Sequence, residues 1–311
     1  AVLIANSLAG GANVAILLGN LAVEASDAAR LAVNAQCVAE LSDGKFGVLT
    51  SGGNTVGGYL AQAVPGRGGK TARAQLAEPL KAYIVLHAEP LLDAADGARA
   101  VATLAAAQFS VALTSFRSAA ADWAHVMLPI APFTETSGTF VNACGVAQSF
   151  KGTVAALGQS RPGWKVLRVL GNVLQLPQFD DETSEGVRDA VLNGAIDARL
   201  SNAFEGAVSV GAAATGLERV AELPIFRTDA IVRRSGPLQA APASKAPRAA
   251  MSAATLAQLG VRSGEQVRVR AGEAQIAGRS RKFRAGWVEG CEEQTVDWVQ
   301  DSDENAPPLI E

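Results

Sequence analysis

The sequence predicts an α/β fold, a doubly wound parallel sheet followed by the start of a small β domain, and three observations carry that reading. Short, continuously apolar runs recur along the first three quarters of the chain, helical stretches separate them, and Gly, Pro, Asp or Ser follows the later ones. Continuous rather than alternating apolar strands indicate parallel pairing covered on both faces. Beyond a Pro/Ala-rich stretch the pattern changes to short alternating segments. At 311 residues the chain can bury roughly 75% of its unfolded surface without disulfides or metals.

Residues 13–19 (NVAILLG) are the first expected strand, bounded by Asn and Gly. Residues 21–42 follow as a helix whose buried face is Leu31, Ala35, Val38 and Leu41, with Glu24, Asp27, Arg30 and Gln36 outside it. Further strands are expected at 45–50, 82–87, 109–114 and 126–129. Ligands of such sheets bind beyond the carboxyl ends of the strands, so the loops after Leu18, Leu49, His87 and Thr114 line any crevice. Residues 164–176 read as a helix with Val166, Leu167, Leu170 and Leu174 on one stripe, and 181–198 as a charged helix pair. The α/β domain therefore spans 1–235, a Pro/Ala-rich linker 236–250, and the start of a small β-barrel-like domain 251–278. Residues 279–311, first basic and then acidic, receive no fold.

Composition removes several function classes. The net charge of −3 offers no basic surplus for nucleic acid. The longest apolar run, 14–23, is interrupted by Gly19 and Asn20 and falls short of the ~20 residues a spanning helix needs, so no membrane insertion is expected. Three widely separated cysteines, Cys37, Cys144 and Cys291, form no disulfide framework and suit a reducing compartment. Together with two histidines, His87 and His125, they cannot supply the closely spaced soft ligands of iron–sulfur or zinc sites.

The remaining motifs are weak. The stretch 66–71 (GRGGKT) imitates a phosphate loop, but the pattern needs glycine where Val64 stands, and a leading strand where a helix-like segment ends in Pro65. A surface loop is expected. His87 ends a strand before Glu89-Pro90 and is read as a structural hydrogen-bonding group, while Cys144 is read as an inert packing residue. Ser137-Gly138-Thr139 lacks a nucleophile elbow, and Asp180 and Asp181 cap a helix start. No catalytic, cofactor-binding or metal residue is assigned. The most informative stretch is 121–148. It holds a strand ending at Leu128-Pro129, the acidic Glu135, a turn at Gly138-Thr139, and an extended return through Asn142 to Gly145, suited equally to a pocket wall or to a turn that packs.

That stretch resembles the molybdopterin-oxidoreductase family, and within it the large iron–sulfur subunits of bacterial NADH:quinone oxidoreductase (complex I). The closer likeness rests on 15–21 (AILLGNL), 54–59 (NTVGGY), 128–142 (LPIAPFTETSGTFVN), 161–168 (RPGWKVLR) and 225–234 (IFRTDAIVRR), in one order over most of 10–270. The resemblance implies a C-terminal fragment that serves as scaffold, with the iron–sulfur clusters in an upstream part. It further implies electron transfer from NADH to quinone by the whole complex, with other peripheral-arm subunits as partners, on the cytoplasmic side of the bacterial inner membrane. The sequence departs from the family where Ala124-His125 replaces Ala-Asp, and where Cys144-Gly145-Val146 replaces Glu-Gly-Arg. Both charges of that loop are lost, so no cofactor is expected in this fragment. Two readings stand beside it: a piece of an active molybdopterin enzyme, such as a formate-dehydrogenase-like chain, and an independent small-molecule-binding domain.

Overall fold

All five apolar runs form strands, and every pairing among them is parallel. The computed structural model describes residues 2–211 except 26, together with 225–244, 249–264, 266–271, 274–275, 293–298 and 309–310. The chain divides into two units, one of Ala1–Ala213 with Val220–Leu223, the other of Ala214–Arg219 and Pro224–Glu311.

The first unit begins with α1 (Val2–Ala9), β1 (Ala15–Leu18), α2 (Asn20–Val23), α3 (Ala28–Leu41), β2 (Lys45–Val48), α4 (Thr55–Leu60) and α5 (Ala72–Ala77). It continues through β3 (Ala82–Leu86), α6 (Pro90–Asp93), α7 (Gly97–Ala105), β4 (Phe109–Thr114), β5 (Val126–Pro129), β6 (Gly138–Val141), β7 (Ala147–Phe150), α8 (Gly163–Val173) and α9 (Ser184–Val191). The parallel strands fall into two sheets. One is β1–β2, with Ala15 beside Lys45; the other is β3–β4–β5, with Ala82 beside Phe109 and Val111 beside Val126. β6 and β7 form an antiparallel hairpin.

The core of this unit is Tyr83, Leu104, Ala112, Ala120 and Trp123 on one face of β3–β4–β5. Its polar atoms are satisfied within it. The Tyr83 hydroxyl donates to the Gln75 carbonyl (2.9 Å) and accepts the Leu80 N–H (2.7 Å), while the Trp123 indole donates to the Ala119 carbonyl (2.9 Å). Ser110, fully buried in β4, donates to the Leu104 carbonyl at 2.6 Å. Burial of such groups is tolerated because each keeps a partner.

One helix, α3, buries a different face from the one its periodicity predicts. In α3 the buried residues are Ala32 and Ala39, while Val38 and Leu41 are exposed, Leu41 by 83%. The helix lies against β1 and β2, and small side chains allow that close approach. In α8 the buried positions, Gly163 and Gly171, lie on the expected stripe with half-buried Val166, Leu167 and Leu170, while Leu174, just past the helix, is exposed. A Cβ at Gly171 would stand 2.2 Å from the Phe179 ring, so the ring occupies the place a larger residue would take. The expected charged pair at 181–198 is α9 plus a single 3-10 turn, Asp197–Arg199.

The second unit contains α10 (Ala230–Arg234), α11 (Gly236–Gln239), β8 (Ala249–Ser252), α12 (Ala253–Leu259), β9 (Gln266–Ala271), β10 (Ala274–Gln275), β11 (Glu293–Trp298) and β12 (Leu309–Ile310). The stretch expected to be a linker from 236 thus opens as a helical turn. Ser235 caps it by accepting the Leu238 N–H, and proline sits in its first turn, where no N–H is needed. The expected helix before the small β domain is α12. Gly260 caps its end with φ +66°, and Leu256 within it packs with Val261 just beyond it. The tail left without a fold supplies β11, paired with β8 and β9, and β12, paired with β9. Cys291 and the basic stretch 279–284 lie outside the described residues.

Candidate functional site

The crevice position of a parallel sheet is the carboxyl end of β3–β4–β5. After β3 the chain turns at His87, whose φ is +56° and whose N–H donates to the Leu113 carbonyl (3.0 Å). Glu89 follows, 5% exposed, its N–H donating to the Asp93 carboxylate at 2.7 Å. After β4 the Ser115 hydroxyl donates to the Ile130 carbonyl (2.8 Å), and after β5 the Ala131 N–H donates to the Arg161 carbonyl (2.9 Å). That last bond delivers the start of α8 to the strand ends. A Cβ on Gly163 would lie 3.7 Å from His87 Nε2 and 3.6 Å from Leu86, ordinary contact distances. His87 thus sits at the amino end of α8, where helix N–H groups point outward.

The two histidines lie at opposite ends of the strands. His125 immediately precedes β5, and its Nδ1 accepts the Ser110 N–H at 3.1 Å, tying the amino ends of β4 and β5. A five-residue strand is about 17 Å long, so the pair cannot act on one ligand. The two described cysteines are equally dispersed, Cys37 half-buried in α3 and Cys144 exposed in the β6–β7 loop. Among the described residues no three His, Cys, Asp or Glu side chains come together in a way that could hold a metal ion.

The informative stretch builds a closed loop system. Glu135 accepts the Leu157 N–H (2.9 Å), and the neighbouring Thr134 carbonyl accepts the Thr153 N–H (2.8 Å), drawing the 151–158 loop against it. Asn142 Oδ1 accepts the N–H groups of Cys144 (2.9 Å) and Val146 (3.0 Å), folding the hairpin turn around Gly145, whose φ is +80°. Only glycine suits that turn, because a Cβ there would also stand 2.2 Å from Leu200. Asn54, which precedes α4, does not cap its own helix. Its Oδ1 instead reaches the N–H of buried Val141 in β6 at 2.8 Å.

Sequence reasoning missed the Asn54–Val141 bond. The only signal was Asn54 between two pairs of glycines, of which Gly57 leaves the room Asn54 occupies. Asp180 and Asp181 do not cap α9; Thr183 does, accepting the Gly186 N–H at 3.0 Å. The GRGGKT loop is closed by a Gly69 to Gly66 backbone bond. Its Lys70 pairs with Glu78, and the bond and the charge hold that carboxyl below its usual range.

A hollow of about 120 Å³ lies on the β6–β7 hairpin, lined by Thr139, Ser149, Phe150, Lys151, Ser184 and Glu185 among others. Glu185 is held below the usual carboxylate range by its own backbone N–H, then by the Ser184 hydroxyl, with Lys151 a lesser cause. The helix start there is already occupied by a carboxylate of the chain itself. Small-molecule sites usually enclose about 300 Å³ or more, so this hollow takes a few waters.

The sequence model of molybdopterin oxidoreductase matches residues 4–173, more than half of the chain. The chain belongs to the molybdopterin oxidoreductase family. The α/β architecture with parallel sheets agrees with that membership, and among the described residues no helix is long and apolar enough to cross a membrane. The pterin cofactor named by the family carries anionic phosphate, which needs cations or open N–H groups. Near the strand ends Arg117 is exposed after β4, and the guanidinium of Arg161 donates to the Gly158 and Ser160 carbonyls of its own loop. Buried Glu89 adds a carboxyl there. In the hairpin loop both N–H groups flanking Gly145 are engaged by Asn142. The hairpin loop thus offers an anionic pterin no charge and no open N–H beside Gly145.

Proposed function

We propose that this chain is the scaffold portion of the large iron–sulfur subunit of a bacterial NADH:quinone oxidoreductase. It supports electron transfer from NADH to quinone by the complex and holds no redox group itself. One observation carries the reading: the polar side chains of the family's characteristic stretch, Glu135 and Asn142, bind the chain's own backbone, and the loop between β6 and β7 is uncharged. A loop used this way fixes shape. The ordered likeness to complex I subunits in segments 15–21, 54–59 and 225–234 supports the finer assignment. On this reading the partners are other peripheral-arm subunits, at the cytoplasmic side of the inner membrane, and the clusters belong to an upstream part of the subunit.

The second reading, a portion of an active molybdopterin-dependent oxidoreductase of the formate-dehydrogenase type, is favoured by the family membership alone. Metal analysis of the full-length subunit separates the two. The scaffold reading expects iron without stoichiometric molybdenum, and no coloured cluster when this chain alone is reconstituted with iron and sulfide. One molybdenum per subunit would overturn it in favour of the second reading.

A further inference from the structure

Residues 201–211 contain no helix or strand, yet they run along α3 in the opposite direction to it. Gln36 Oε1 accepts the Phe204 N–H at 2.8 Å. Asn34 grips Ser209 twice, its Oδ1 accepting the N–H (3.2 Å) and its Nδ2 donating to the carbonyl (2.8 Å). A Cβ on Gly206 would stand 3.1 Å from Val33, and one on Gly211 only 2.5 Å from the Arg30 guanidinium. Glycine at both places is what lets the backbone pass so close. Arg30, Val33 and Asn34 share one helical face, and Gln36 borders it. Glu40 accepts from Gln36 Nε2 (3.0 Å), which leaves the Gln36 oxygen turned toward Phe204.

The same segment covers the outer edge of β2. Lys45 and Leu49 direct their N–H groups to β1, so the backbone of Phe46 faces the other way. Asn202 Nδ2 reaches the Phe46 carbonyl at 3.4 Å, and the Phe204 ring stands edge-on to Phe46 with centroids 5.9 Å apart. Arg199 anchors the start of the segment by donating to the Leu60 and Val191 carbonyls. These grips are side-chain bonds, most of them at the surface; among the described residues no ladder holds 201–211.

We infer that residues 201–211 form a releasable strap, which opens as one unit while the sheets stay folded and so uncovers the outer edge of β2. Segments held by few, solvent-exposed bonds open locally at the low end of the stability range, whereas core strands open only with the whole unit. An uncovered strand edge is a template for a further strand, so the closed strap guards it.

Hydrogen exchange of the full chain tests this, comparing wild type with Asn34→Ala/Gln36→Ala. The double substitution removes all three bonds to Phe204 and Ser209. The amides of Phe204 and Ser209 should then exchange about tenfold faster or more, with those of Val111 and Leu113 in β4 changed by less than about twofold. In wild type itself the strap amides should already exchange at least about a hundredfold faster than those of β4, a comparison that holds even if the variant does not fold. Equal acceleration in β4, unchanged strap amides in the variant, or matched rates in wild type would each overturn the strap.

Discussion

Replacing Gly57 by alanine should weaken this protein although alanine is the better helix former. Gly57 lies inside α4, where the exchange normally adds about 0.8–1.0 kcal/mol of stability. Here an added Cβ would stand 2.0 Å from Asn54 Oδ1 and 2.8 Å from its Cγ, so the side chain must leave. Asn54 Oδ1 is the acceptor for the Val141 N–H, and Val141 is 1% exposed. Stranding a buried N–H costs about 1–3 kcal/mol, which equals or exceeds the gain in helix propensity. The expected outcome is a net loss of up to about 2 kcal/mol for Gly57→Ala, read as a lower urea midpoint at unchanged slope. Asn54→Ala alone should lose about 1–3 kcal/mol. In that background nothing remains for the Cβ to displace, so Gly57→Ala should change sign and stabilise by about 1 kcal/mol. A Gly57→Ala protein more stable than wild type, or a double variant with no sign reversal, would refute the link between α4 and β6.

The other predictions concern the hairpin, the surface charges and the two tests given above. Asn142→Ala removes the acceptor shared by Cys144 and Val146 and should cost about 1–2 kcal/mol, a fall of a few degrees in Tm; Asn142→Asp keeps an acceptor and should lose less. Glu78, Glu185 and Asp189 all have carboxyl pKa values below their ordinary ones, held down by Lys70, by the Glu185 backbone N–H, and by Arg188 respectively. A depressed carboxyl contributes stability above its unfolded-state pKa and loses it as pH falls through the folded one. Acid titration of unfolding should therefore show that contribution fading below the ordinary carboxylate range, small because all three groups are exposed, and smaller again at high salt. Metal analysis should find no stoichiometric molybdenum, and the strap should exchange ahead of the core.

Much of the fold was legible because its strands announce themselves. Residues 109–114 and 126–129 are apolar runs bounded by turn formers, and the strands formed at those limits. Helix faces were less legible. Periodicity marks where apolar residues cluster, but it assumes that large residues face inward. Against β1 and β2 the close approach of α3 selects Ala32 and Ala39, leaving Leu41 in solvent. Within the expected linker, Pro237 looks like a breaker, yet proline suits a helix start and Gly236–Gln239 forms one helical turn. In the candidate site, Glu135 and Asn142 were visible as residues, but not what they bind. Their partners at Leu157, Cys144 and Val146 are main-chain N–H groups, which carry no sequence signature.

By itself the sequence determined the kind of protein: parallel strands from continuous apolar runs, no thiolates grouped closely enough for a cluster, and an ordered set of segments that places it among molybdopterin oxidoreductases. Tertiary structure alone decided how those segments are used. It set Asn54 against Val141 across 87 residues of chain, parted the two histidines to opposite ends of a sheet, and laid 201–211 along α3. The physical reason is that apolar patterning acts locally and is written in side chains, whereas these contacts join side chains to distant backbone, and backbone is the same at every residue.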